Sequence, residues 1–407
     1  MLSRRVAWAV AISATLTMTV SYVDRVTLGA LGISVSKDLA ISETAYGWLG
    51  SAFSIAYLLA TPLSGWWIDR IGARRGLVVS ILLWTSVAAL HAVVPGFGAL
   101  FALRIALGIA EGPSFPGAAQ TIERILPPAD RARGFGVLFT GSSIGTMLTP
   151  PLASYLYSVG GWRFAFLGTA LVGLLWVPLW IAWTRRKDVR AKLDTAQSAK
   201  PERTMTAREM LRQPAIIRGL CAIFATAPIV GVAIHWGAKF LGATFGVKQA
   251  DVGHYLWLPP LVFDLGAILF GDLVSRGGRP RVLFAIGALF GTCLMLLPLA
   301  GTAWQAVVIV AVAMAGCGIV YTLATAEVLS RMPRENISLA SGIMAGAQSL
   351  SLIIIGPLVG AMIDHFGNYD VAVISVGAWV IPGCIVWLVY VTPAPSVDLP
   401  RARARGK

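Results

Sequence analysis

Charge is what this chain most lacks. Asp, Glu, Lys and Arg together make up 13% of its 407 residues, roughly half the share found in a soluble domain. That is too little to clothe a soluble surface, and 57% of the residues are hydrophobic instead. The ten-residue alternation of a membrane barrel is missing too, which excludes that way of satisfying a backbone in lipid. Cysteine is sparse: Cys221, Cys293, Cys317 and Cys384 all lie inside apolar stretches, where no disulfide framework is implied. There is no phosphate-cradling Gly-x-x-x-x-Gly-Lys-Ser/Thr sequence, so ATP is not the expected energy source. The four histidines, His91, His235, His254 and His365, are scattered over separate segments and form no metal motif.

What is present is a succession of apolar stretches, each long enough to cross about 30 Å of hydrocarbon as a helix. Twelve spans are predicted, at 7–33, 45–65, 76–94, 98–122, 134–157, 163–183, 216–241, 251–274, 281–300, 304–328, 337–362 and 371–391. The first follows Arg4 and Arg5 as a signal peptide would. It is too long for one, carries Asp24-Arg25 and lacks a cleavage site, so it is read as retained. Bases outnumber acids 33 to 19, giving a formal charge of +14. With the N-terminus inside, only Lys37, Arg163 and Lys248 fall outside, and only Arg25, Arg104 and Lys239 within spans. The surplus is therefore topological: it predicts both termini on the cytoplasmic face of the membrane. Nucleic acid is not an expected partner, while the bilayer is, with some attraction of anionic lipid to the tail Arg401–Lys407.

The one long polar connection, 184–215, divides the chain near its middle. At an offset of 206 residues Gly65 falls on Gly271, Arg70 on Arg276, Gly72 on Gly278, Arg75 on Arg281, Pro127 on Pro333, Pro151-Leu152 on Pro357-Leu358 and Gly161 on Gly367. This is a parallel repeat: an all-α membrane protein of two six-helix halves, 1–183 and 216–393, joined by the linker 184–215 and followed by a basic tail at 394–407.

Between the second and third spans stands Gly65-x-x-x-Asp69-Arg70-x-Gly72-x-Arg74-Arg75. Gly65 permits close helix approach, and Asp69 can pair with arginines at a neighbouring helix end, which makes the loop a conformational latch. The pattern resembles the cytoplasmic loop signature of the major facilitator superfamily except at Ala73, where an Arg is usual. Ionisable residues inside spans are costly and functional by default: Asp24 and Arg25 in the first, Arg104 and Glu111 two turns apart in the fourth, with Gly108 between them leaving that face open. Ionised, the two acids neutralise the two arginines; protonated, they free a pair of cations in low dielectric for a carboxylate substrate.

Tyr22-x-Asp24-Arg25, the fourth-span run Arg104-x-x-x-Gly108-x-x-Glu111-Gly-Pro-Ser-Phe115-Pro116, Gly161-Trp162-Arg163 and His235-Trp236-Gly-Ala-Lys239-Phe240-Leu241 resemble the anion:cation symporters, a branch of the major facilitators. The resemblance covers nearly the whole chain outside linker and tail. It implies proton-driven import of a small organic anion, a sugar acid or a hydroxy- or dicarboxylate, with no cofactor beyond the proton gradient and a monomeric working unit. Asp24 and Glu111 would carry protons, Tyr22 and Arg25 would contact the substrate carboxylate or its hydroxyls, and Tyr57 would line the cavity. Read from the residues themselves, Arg104 and Lys239 are further candidate substrate-binding cations, and His235 and Gln348 are either cavity contacts or interhelical hydrogen-bonders. Two departures stand out. Ala238 replaces a usual proline, and Asp264, in mid-span, is an unexpected acid that could be a third proton site or a partner of Lys239 or His235. Lys239 itself lies near a helix end, where it could snorkel, and Glu327 reads as a helix-end pair with Arg331. Proton-driven export is the alternative function. A hydrolase built on Gly141-x-Ser143-x-Gly145 is the remote one, because that run lies mid-helix and reads as small-residue packing.

Overall fold

Caps and breakers in the sequence set the helix ends. In the computed structural model, which describes residues 2–194, 205–333 and 336–390, Ser3 accepts from the Val6 amide to start α1 (Arg4–Ala30). Ser42 does the same from Ala45 to start α2 (Glu43–Ile71). Gly72, at φ 78°, closes α2 and opens α3 (Ala73–Leu90), a turn that a side-chain-bearing residue would strain. Helix α4 runs Phe97–Glu111, bends at Gly112-Pro113 and continues as Ser114–Ile125. The stretch Pro128–Thr184 is two helices, α5 (128–159) and α6 (162–184), broken at Gly160 and at Gly161 with φ 75°.

The second half repeats the scheme. Helix α7 runs Pro214–Gly231, passes through a π turn at Val232–Trp236 and ends as Gly237–Phe245. It is followed by α8 (Leu258–Ser275), α9 (Pro280–Thr292, with a 3-10 extension Cys293–Leu299), α10 (Ala303–Arg331), α11 (Ile337–Phe366) and α12 (Asp370–Val389). Ten helical stretches among the described residues are long and apolar enough to cross a membrane. Pro128–Thr184 counts as two spans, and α2, whose apolar character is diluted by Gly, Ser, Thr and Tyr, completes the twelve. The internal repeat leaves two marks on the backbone. Gly161 and Gly367 both adopt positive φ, at 75° and 70°, though with ψ of −175° and 7°, and Pro151 and Pro357 both lie inside helices.

Within 184–215 the chain forms two short helices, Lys187–Leu193 and Ala207–Met210, and buries Val189, Leu193 and Met210. Residues 195–204 of that connection and the tail 394–407, including Arg401–Lys407, lie outside the described residues. The four cysteines are free thiols.

The halves meet along two seams, α1/α5 with α7/α8 and α2 with α11. Contact concentrates on the face of the bundle away from the chain termini. There, a Cβ on Gly29 would lie 2.2 Å from the Ile234 carbonyl oxygen, one on Gly47 2.2 Å from that of Gly356, and one on Gly360 2.3 Å from that of Glu43. Gly253 approaches Pro151 in the same way. Gln249 donates to the Ala30 carbonyl at 2.6 Å, Ser51 to that of Ile353 at 2.7 Å, and the Thr44 hydroxyl to Asp364 at 2.6 Å. Toward the termini the helices splay. Gly65, Gly136, Gly342 and Gly346 have open space where a Cβ would go, and Leu59, Leu63 and Trp66 are exposed. Gly65 was expected to bring helices together; instead it faces this opening, because α2 has parted from its neighbour on that side.

Candidate functional site

Small residues on α5 bring α1 close. Gly141 and Gly145 lie against the backbone of Thr15 and Thr19, which confirms their packing role and leaves Ser143 on the opposite face of the helix. Gly108 on α4 likewise lies against the Phe53 carbonyl of α2 rather than opening a surface. With α1, α2 and α4 so close, four charges meet in the N-terminal half. Arg25 pairs with Glu111 at 3.0 Å. The same carboxylate oxygen accepts from Ser21 at 2.8 Å, and Glu111 is wholly buried. The Arg25 guanidinium lies 4.5 Å from the ring centroids of Tyr22 and Tyr57 and 4.8 Å from that of Phe53, so aromatic faces hold it on three sides.

Behind this pair are Asp24 and Arg104. Asp24 is 3% exposed and Arg104 is 0% exposed. Neither makes a hydrogen bond among the described residues. Arg104 stacks on the other neighbour of Arg25, the Phe53 ring, at 4.9 Å, and the buried indole of Trp84 is turned toward Asp24 without reaching hydrogen-bond geometry. Adjacent residues on a helix point about 100° apart, so Asp24 cannot share the Glu111 side of α1 with Arg25. The expected double neutralisation is thus one formed ion pair and one separated pair.

The other expected residues are distributed around the seam. His235 lines a cavity between the halves with Leu28, Tyr46, Gly50, Ser54 and Leu352, and its backbone carbonyl accepts from the Tyr46 hydroxyl at 2.9 Å. Gln348 is half-buried on α11. Asp264 accepts from Ser143 at 2.8 Å across the seam; its partner is neither Lys239 nor His235. Lys239 does not snorkel: it is 6% exposed and pairs with Glu43 at 2.7 Å. Glu327 does pair with Arg331, at 3.2 Å, and more closely with Arg218, at 2.7 Å. Sequence reasoning missed Glu43, Ser21 and Phe53, because a carboxylate at a span edge, a hydroxyl and a ring carry no motif of their own.

At the α2–α3 turn, Asp69 accepts from Gln120 at 3.0 Å, and Gln120 in turn accepts from the Ala73 amide at 3.0 Å. The glutamine thus stitches α4 to the turn. Arg74 makes a two-pronged bond to Asp194, at 3.0 and 3.1 Å, beyond the short helix that follows α6. Its guanidinium holds the Asp194 carboxyl below the usual carboxylate range. Arg70 packs over Trp66, and Arg75 is exposed. On the opposite face, Arg163 and the Trp162 indole together lower Asp38.

Among known proteins, the sequence profile described as Major Facilitator Superfamily matches residues 10–356. The chain belongs to the Major Facilitator Superfamily. This facilitator is 25% identical to the Bacillus subtilis protein named "Probable galactarate/D-glucarate transporter GudP", over 97% of this chain and 94% of that one. It is 25% identical to the hexuronate transporter of Bacillus subtilis, over 92% of each chain. The D-galactonate transporter of Escherichia coli O6:H1 is 23% identical, over 92% of this chain and 93% of its own. Among solved structures, a bacterial homologue of the human lysosomal transporter Spinster, inward-facing and unoccupied, superposes with a TM-score of 0.79 at 17% identity, covering 96% of this facilitator and 98% of that chain. This likeness carries the fold. The chain is thus a membrane transporter of the facilitator fold and not an enzyme.

Proposed function

We propose that this facilitator imports a sugar acid, or a similar hydroxylated carboxylate, together with protons, by alternating access. The observation that carries the reading is the Arg25–Glu111 pair, a guanidinium ringed by tyrosines and phenylalanine whose single formed counter-ion is a protonatable carboxylate. A proton taken by Glu111 removes that counter-ion, and a substrate carboxylate then replaces it on Arg25. Anion and proton arrive together and the charge of the site is unchanged. Each makes the other's binding more favourable, which is coupling by linkage. Asp24, buried without a hydrogen bond beside Arg104, is the second proton carrier of the proposal. The names of the relatives support the substrate class. With the basic flanks placed in the cytoplasm, the face sealed between α2 and α11 is the outer one and the splayed face opens inward.

The test is uptake of labelled D-galactonate, D-glucuronate and galactarate into proteoliposomes, with and without an inward proton gradient. At least one anion should accumulate with the gradient. Glu111→Gln should leave downhill exchange but abolish accumulation, and Arg25→Ala should abolish both. Gradient-driven accumulation by Glu111→Gln would sink the coupling assignment.

A further inference from the structure

Lys239 takes no part in the cycle just described, yet it is the most thoroughly enclosed cation of the outer seam. Its ammonium lies 2.7 Å from Glu43, donates to the Ser36 hydroxyl at 2.9 Å, and sits 4.4 Å from the Tyr46 ring centroid and 5.9 Å from that of Trp236. Every one of these partners except Trp236 belongs to the other half of the molecule. Glu43 and Tyr46 are on α2, and Ser36 is on the short helix Gly32–Asp38 that follows α1. Plain apolar packing would close this seam without the desolvation of an ammonium, so the charge needs another reason.

The geometry supplies one. If the outer ends of α2 and α7 part, Glu43, Ser36 and Tyr46 leave together with the N-terminal half. Lys239 then stands at the mouth of the seam with its paired carboxylate removed, Trp236 beside it and Asp364 of α11, the acid of its own half, still within electrostatic range. Just inside lies the cavity formed by His235, Tyr46, Gly50 and Ser54. Tyr46, Gly50, Ser54 and Tyr57 recur every three or four residues, along one face of α2. The last of them stacks on Arg25.

We propose that Lys239 is a carboxylate-receiving site at the outer mouth, filled by Glu43 when that end is closed and by the substrate's carboxylate when it is open. The proposal rests on the alternating-access reading above. Glu43 is then an internal stand-in for the substrate, and the two compete for one ammonium. The division of labour fits the two cations. A lysine is a point charge that accepts a carboxylate from many directions, suited to capture, whereas the planar fork of Arg25 orients what it holds. The ligand class is any small carboxylate the deeper site accepts.

Two measurements on the full-length chain test this. Gly50→Cys places a thiol just inside the seam, where the nearest atom to its Cβ is a His235 ring carbon at 3.9 Å, so it fits without strain. Labelling of that thiol by a membrane-impermeant maleimide, added outside intact cells, reports opening of the outer end. Lys239→Met should speed the labelling several-fold, and the charge exchange Glu43→Lys with Lys239→Glu should restore the slow rate by re-forming the pair. Uptake of whichever panel anion the wild type carries should show KM raised about tenfold in Lys239→Met and in the exchanged pair, with kcat of the exchanged pair near wild type. Unchanged labelling in Lys239→Met would remove the pairing role. A slow-labelling exchanged pair with wild-type KM would make Lys239 a lock alone and overturn the receiving site. If the wild type carries none of the three anions, the function proposed above falls first, and the labelling result stands apart from it.

Discussion

Arg104 is a guanidinium with 0% exposure, and none of its three nitrogens makes a hydrogen bond among the described residues. A charge in that position costs several kcal/mol of desolvation even after relaxation, and stacking on Phe53 returns about 2 kcal/mol of it. A residue that costs stability and persists is retained for function. Arg104→Met should therefore leave the melting temperature of the purified protein unchanged or raised while abolishing uptake. A fall in melting temperature of more than about 5 °C would show Arg104 to be structural. Asp24, Arg25, Arg104 and Glu111 were legible in the sequence because a charge inside an apolar span has no ordinary reason to be there. Their pairing was not legible, since spacing along one helix says which residues share a face but not which neighbour that face meets. The Glu43 partnership of Lys239 escaped for the same reason. Glu43 lies at the first turn of a span, where an acid is unremarkable as a helix-start charge.

At the scale of elements, the contact of α2 with α11 is made backbone to backbone. A Cβ on Gly47 would sit 2.2 Å from the Gly356 oxygen and 2.5 Å from its carbonyl carbon, and neither is a flexible atom that can yield. Gly47→Val should thus prevent the sealed ends of α2 and α11 from closing. The protein should still fold, because the residue is on a face between halves. It should lose uptake, and a thiol introduced at Gly50 should become permanently reactive from outside. Normal uptake by Gly47→Val would mean that α2 and α11 need not touch in the cycle. The sequence located both helices and their glycines, but a stripe of glycines does not name its partner. The π turn Val232–Trp236 in α7 was not foreseen; the missing proline at Ala238 was the only hint that this helix departs from regularity.

At the scale of the molecule, the two halves are joined at one end and apart at the other. The offset of 206 residues predicted two equivalent halves, and the twelve spans of the structure divide six and six about the connection 184–215. Which end is closed was beyond the sequence, because one sequence must serve both arrangements with a gap of only a few kcal/mol between them. If the closed end opens in every cycle, a covalent tie across it must stop transport. Thr44 and Asp364 face each other across the seam at 2.6 Å, so Thr44→Cys with Asp364→Cys should cross-link under mild oxidant. Uptake should cease and return on reduction, with each single variant unaffected. Uptake that continues in the cross-linked protein would exclude rocking of the halves about the centre.

The glycine-to-carbonyl seal at that end has a consequence for the cell's electrical economy. Where backbone meets backbone, as at Gly47 and Gly356, there is no room for a thread of water along which sodium ions or protons could leak. A membrane that stores its power as a voltage can therefore carry many copies of this protein at no standing loss. A single side chain wedged into the seal would threaten more than this protein's own transport, since a seam held ajar is a path for current.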